Sequence, residues 1–95
     1  MSVSALTDCK KLYKAILKLK TEEDCRKFFE DICTIKEVLD MSQRLEVANL
    51  LSMGKNYQEV SKLTGASTAT ISRVSRCLNY GAGGYLLVVD KNEKV

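Results

Sequence analysis

No histidine and no proline occur anywhere in these 95 residues, and no apolar run is longer than a few residues. Without histidine, mixed Cys/His zinc sites are impossible, and so are the commonest general base and every triad built on it. The four cysteines, Cys9, Cys25, Cys33 and Cys77, are dispersed and form no C-x-x-C pair. They read as reduced thiols in or near a helical core, with no metal site. The acidic residues show no catalytic spacing with a nucleophile, so neither an enzyme nor a cofactor is expected. The lack of a long apolar run leaves no candidate membrane span, secretory signal or lipid anchor, and a cytoplasmic location is expected. With no proline and no linker-like stretch between Leu12 and Leu78, residues 1–95 read as one domain, small for independent stability. The net charge of +3 excludes a polycation that coats nucleic acid by charge alone.

What is present is concentrated between Val60 and Arg76, V-S-K-L-T-G-A-S-T-A-T-I-S-R-V-S-R. Asn56 with Glu59 three residues on predicts a capping box opening a helix. Val60 and Leu63 fall three apart, on one apolar face. Gly65 stands where a tight inter-helix turn needs a positive φ. Ser67 is a good N-cap for a second helix from about Thr68 to Asn79, on which Ile71, Val74 and Leu78 make one buried stripe. The opposite face shows Thr68, Ala69, Ser72, Arg73 and Arg76. Small side chains near a helix start let the backbone approach base edges, and arginine can bond guanine in a bidentate way. From Lys55 to Arg76 the cations Lys55, Lys62, Arg73 and Arg76 face one anion, Glu59. The spacing therefore predicts a helix-turn-helix over 56–79.

Upstream, Leu12, Ile16 and Leu19 predict a helix from about Ala5 to Lys20, bearing Lys10, Lys11, Lys14, Lys18 and Lys20. Those lysines read first as a solvated face and second as an accessory phosphate contact. Thr21 with Asp24 is a capping box before a helix carrying Phe28, Phe29 and Ile32, and Thr34 with Glu37 repeats the signature for a short helix to about Leu39. Asp40 or Ser42 would cap a fourth helix ending at Gly54. It is apolar around much of its girth through Leu45, Val47, Ala48, Leu50 and Leu51, as a central helix would be. After Asn79 the tail switches to residues that prefer extended structure, either a short strand or a wing beside DNA. Its G-A-G-G lacks the Lys-Ser/Thr and the preceding strand of a phosphate loop.

The helix-turn-helix resembles that of bacterial repressors, including the Lac repressor family. By that similarity Thr68, Ala69, Ser72 and Arg73 match base-reading positions, and Ser67 and Thr70 match phosphate-contacting ones. The resemblance to the Trp repressor superfamily extends further, from T-I-K-E-V-L-D-M-S-Q-R-L-E-V-A-N-L-L to G-A-S-T-A-T-I-S-R, roughly Thr34 to Leu78. With C-T-I-K-E-V, Q-R-L-E-V-A and C-L-N-Y-G-A-G-G-Y-L-L-V-V-D, the chain is similar to the YerC/YecD branch. This implies an all-α, Trp repressor-like bundle of about six helices with a short extended tail, 80–95. It also implies a homodimer whose interface lies in the helical core, 5–54, and double-stranded DNA as the partner. In the Trp repressor the corepressor's indole lies between two arginines, and those positions match Arg44 and Arg73; Thr34 matches a third contact. Val74 replaces a glycine beside the ligand and Cys77 a serine. A β-branched side chain there fills space the indole needs, and a thiol is a poor hydrogen-bond partner in place of the serine, so neither tryptophan nor a cofactor is expected. Arg44 is left either to hold another small-molecule effector, an anion, or to brace the fold through Asp or Glu.

Two functions remain open. One is a sequence-specific transcriptional regulator, a repressor, with Arg73, Ser72, Thr68 and Ala69 reading bases and Ser67, Thr70, Lys55 and Lys62 on phosphates. The other is a protein-interaction module that keeps the fold without binding specific DNA.

Overall fold

The computed structural model describes residues 3–90. Among them are seven helices and no strand: α1 (Val3–Thr7), α2 (Lys10–Ile16), α3 (Glu22–Ile32), α4 (Ile35–Ser52), α5 (Tyr57–Thr64), α6 (Thr68–Tyr80) and α7 (Gly84–Val88). The chain divides into two compact units, residues 1–38 and 39–95.

In the first unit the single helix expected from Ala5 to Lys20 is two. At Asp8 and Cys9 the backbone leaves the helix: the Cys9 N–H bonds Leu6 O, three residues back, which tightens and closes α1. The Tyr13 hydroxyl donates to Leu6 O at 2.7 Å and braces α1 against α2. Helix α2 stops at Ile16 because the Lys20 N–H is taken by the Asp24 carboxylate and Thr21 is already extended, at φ −134° and ψ 164°. Thr21 Oγ1 accepts from Asp24 N, so the cap expected at Thr21 forms, but its return bond comes from Lys20 rather than from Thr21. Helix α3 then carries Phe28 and Phe29, edge to face with centroids 5.5 Å apart. No side chain from residue 5 to residue 38 is buried.

Helix α4 corrects a second boundary. The short helix and the longer one expected on either side of Asp40 are one helix of 18 residues. The Thr34–Glu37 box opens it, with Glu37 N bonding Thr34 Oγ1 at 3.1 Å and Thr34 N bonding Glu37 Oε1 at 2.8 Å. Nothing from Leu39 to Arg44 breaks a helix, so Asp40 and Ser42 sit inside it rather than capping anew.

The second unit holds the core. Val47, Ala48, Asn49 and Leu50 are four consecutive buried residues of α4, and four consecutive residues reach every side of a helix. Val60, Ala66, Ile71 and Val74 close around them, with Leu51, Met53, Leu78, Tyr85 and Val89 packed at the margin. Each fully buried aliphatic side chain contributes roughly 1.5 to 3 kcal/mol. Of the apolar pair predicted on α5, only Val60 enters this core; Leu63 is 53% exposed.

The tail also departs from expectation, being helical over Gly84–Val88 and extended only from Val89. Tertiary contacts override the strand preference of Leu-Leu-Val-Val: Tyr85 and Val89 pack on the core, and Asp90 N donates to the buried Asn49 Oδ1 at 3.0 Å. The rest of the predicted tail, residues 91–95, lies outside the described residues. All four cysteines are free thiols, and none is buried: Cys25 and Cys77 are exposed, Cys9 and Cys33 half-buried.

Candidate nucleic-acid interface

The helix-turn-helix is built as its residues predict. Asn56 Oδ1 accepts from Glu59 N at 2.9 Å and the Glu59 carboxylate accepts from Asn56 N, completing the box at the head of α5. Gly65 takes φ 73° and ψ 5°, the left-handed conformation that turns the chain after one residue. Ser67 Oγ accepts from Thr70 N at 3.2 Å and opens α6. The buried Ile71 and Val74, with half-buried Leu78, fix the inner face of α6.

Between the helices, side-chain hydroxyls and the turn's backbone are bonded to one another. Thr64 Oγ1 donates to Val60 O at 2.7 Å and accepts from Ala66 N at 3.1 Å, while Ser61 Oγ donates to Ala66 O at 3.0 Å. Gln43 on α4 adds a longer link, its Nε2 donating to Thr64 O at 3.1 Å. These bonds hold α5 to α4 and give α6 one entry angle. Gln43 carries no signal in the sequence, because its partner lies 21 residues away.

On the outer side, Ser67, Thr68, Ala69, Arg73 and Arg76 are exposed, and Thr70 and Ser72 are half-buried. Ser67 and Thr70 are not free hydroxyls: Ser67 Oγ donates to Thr70 Oγ1 at 3.1 Å. Lys62 is exposed, and Lys55, half-buried, lies 3.9 Å from the Glu59 carboxylate, which partly offsets its charge. Among the described residues Arg44, Lys62, Arg73 and Arg76 form no ion pair, so their charge is available to an anion.

Four of the five residues expected around an effector come together. Arg44, Arg73, Val74 and Cys77, with Thr70 and Tyr85, line an open depression of about 190 Å³. Tyr85 joins the lining because the tail is helical over Gly84–Val88 rather than extended. Thr34 lies outside this lining and is committed to the cap of α4. No group of three or more metal-ligating side chains occurs among the described residues, and no helix there is long and apolar enough to cross a membrane.

The family model for the Trp repressor protein matches residues 7–93. An uncharacterised protein, YerC of Bacillus subtilis strain 168, is 52% identical over 80 residues, 84% of this chain and 77% of that protein. A crystal structure of a candidate Trp repressor from Staphylococcus aureus superposes with a TM-score of 0.84 at 42% identity, over 92% of this chain and 89% of that one. A TrpR-like protein from Eubacterium eligens ATCC 27750 gives 0.81 at 47% identity, over 90% and 94% of the two chains. With a match that spans both units and relatives this similar, the chain belongs to the Trp repressor family.

Proposed function

We propose that the chain is a sequence-specific DNA-binding regulator of transcription, acting as a homodimer on an inverted repeat. The observation that carries this reading is α6. It is anchored on one side by Ile71 and Val74, capped by Ser67, and on the other side presents Thr68, Ala69, Arg73 and Arg76 to solvent, with neither arginine in an ion pair among the described residues. A 13-residue helix is about 20 Å long and, with side chains, about 10 to 12 Å across, which the major groove of B-DNA, about 12 Å wide, admits. In this reading Arg73, Ser72, Thr68 and Ala69 face base edges, with Arg76 beside them. Ser67, Thr70, Lys55 and Lys62 then place the protein on phosphates. The family match across residues 7–93 supports treating both units as one DNA-binding domain.

The exposed apolar residues Ile32, Ile35, Leu39 and Leu45, on α3 and α4, support pairing of two chains. A two-fold dimer would offer its recognition helices to successive major grooves, roughly 34 Å apart. The depression at Arg44 and Arg73 is read as an effector site that takes an anion, its two guanidinium groups being the supporting observation, and the branched Val74 in its lining disfavours an indole.

The test is selection of purified protein against random genomic fragments at physiological salt, with Arg73→Ala alongside. Enrichment of one inverted repeat by the wild type is expected, with a loss of about 1 to 3 kcal/mol and relaxed preference in the variant. Negligible DNA affinity even at low salt would replace this reading with a protein-interaction module on the same fold.

A further inference from the structure

Helix α2 is assembled against the ordinary rules of helix electrostatics. Its first two residues are Lys10 and Lys11, at the end where the helix dipole favours negative charge, and no acidic residue stands in that turn. Its N-cap, Cys9, makes no side-chain capping bond. Lys14 follows Lys10 by four residues and Lys11 by three, so each neighbouring pair is of like sign. At 3.6 residues per turn the three lysines fall within an arc of about 100°, opposite Leu12, Ala15 and Ile16. Lys18 and Lys20 follow in the next turn of chain, and all five lysines are exposed. Among the described residues none of the five makes an ion pair.

The neighbouring helix shows that the contrast is local. Helix α3 places Glu22, Glu23 and Asp24 in its first turn, capped by Thr21, and Arg26 bridges Glu23 and Glu30 on its surface. There the first-turn acids suit the dipole and Arg26 is paired on both sides, although Lys27 and Asp31 make no ion pair among the described residues. In α2 every charge is of one sign; Lys14 has the favoured last turn, but the first-turn lysines and the like-charge pairs are uncompensated, and a polyanion with regularly spaced charges relieves both.

We propose that Lys10, Lys11 and Lys14, extended by Lys18 and Lys20, form a second phosphate-contacting surface that grips the duplex backbone without reading sequence. This rests on the reading of the protein as a DNA binder and adds a contact distinct from the helix-turn-helix. An anionic membrane is the less favoured polyanion. The face of α2 opposite the lysines is partly covered, with Ala15 and Ile16 half-buried, whereas binding in a bilayer interface requires that face to be free.

The experiment compares wild type with K10Q/K11Q/K14Q, glutamine being nearly as good a helix former as lysine, and circular dichroism verifies the fold. Affinity for a random-sequence duplex is measured between 50 and 200 mM potassium chloride. Three lost phosphate contacts on each chain, six per dimer, should reduce the slope of log affinity against log salt by about 5, with binding at the lower salt at least tenfold weaker. The ratio of affinities for the selected fragment and the random duplex should stay unchanged in this variant and fall in Arg73→Ala. A random duplex bound equally well, and with the same slope, by wild type and triple variant overturns the proposal. So does loss of binding to phosphatidylglycerol vesicles while the DNA slope stays put. If wild type binds random duplex through these lysines yet selects no fragment, the phosphate surface stands and sequence-specific recognition falls. Absence of any duplex binding at low salt overturns both.

Discussion

Gln43 and Gly81 are single residues on which the reading head depends without lying on its outer face. Removing the Gln43 amide leaves the Thr64 carbonyl in a part-buried setting without its donor. Gln43→Ala should therefore lose about 1 to 3 kcal/mol in denaturant unfolding. It should also weaken selected DNA more than random DNA, since the entry angle of α6 is what loosens. Equal losses on both duplexes would mean that Gln43 serves stability alone. At Gly81 the constraint is space: an added Cβ would sit 2.4 Å from the Cys77 carbonyl oxygen, a backbone atom that cannot swing away. Gly81→Ala should cost about 1 to 3 kcal/mol, as overpacking does. Gly84→Ala, with nothing within 4 Å, should be close to neutral. Comparable unfolding midpoints for these two variants would refute the steric account.

The helix caps belong to a different class of signal, because both partners lie within three residues and can be read directly from the chain. Asn56–Glu59, Ser67 and Thr34–Glu37 all form as the spacing indicates. In the last of these, the Thr34 backbone N–H, and next its hydroxyl, hold the Glu37 carboxyl below its ordinary value. A carboxylate depressed in the folded state contributes stability that is present above the unfolded value and lost as pH falls through the folded one. Acid should thus loosen the start of α4 only once pH drops below the usual glutamate range. Carboxyl titration by NMR should show the Glu37 midpoint rising part of the way in Thr34→Ala, which removes the hydroxyl but keeps the backbone N–H; an unchanged midpoint would rule out the hydroxyl as a cause. What local spacing does not disclose is continuity and distance. Asp40 and Ser42 look like caps, yet α4 runs through them, since a cap is used only where the chain has reason to leave the helix. The tail looks extended from Leu86 to Val89, yet α7 forms, because Asn49 and Asp90 meet across 41 residues. The outer face of α6 was legible from periodicity, whereas Gln43 and Tyr85 join the site only through tertiary folding.

The strongest demand made by the fold falls on residues 5–38, which contribute no buried side chain. Helices of 7 and 11 residues are too short to persist in water on propensity alone, so α2 and α3 need packing to stay formed. Yet Leu17 is 82% exposed, Ile35 77% and Leu39 63%, and Ile32 and Leu45 add to the uncovered apolar surface. A second copy of the chain supplies the missing cover in the proposed dimer, and stability then depends on protein concentration. Wild type should sediment at twice the chain mass at micromolar concentration, with a Tm that rises as protein is added. Ile35→Glu combined with Leu39→Glu should raise the dimer dissociation constant more than tenfold. The same pair should be nearly neutral if these side chains face only water. Because one recognition helix contacts only one half-site, the double variant should also lose preference for the inverted repeat while keeping weak binding to random duplex. A wild-type chain that sediments as a monomer with a concentration-independent Tm would remove the dimer, and with it the requirement for two half-sites.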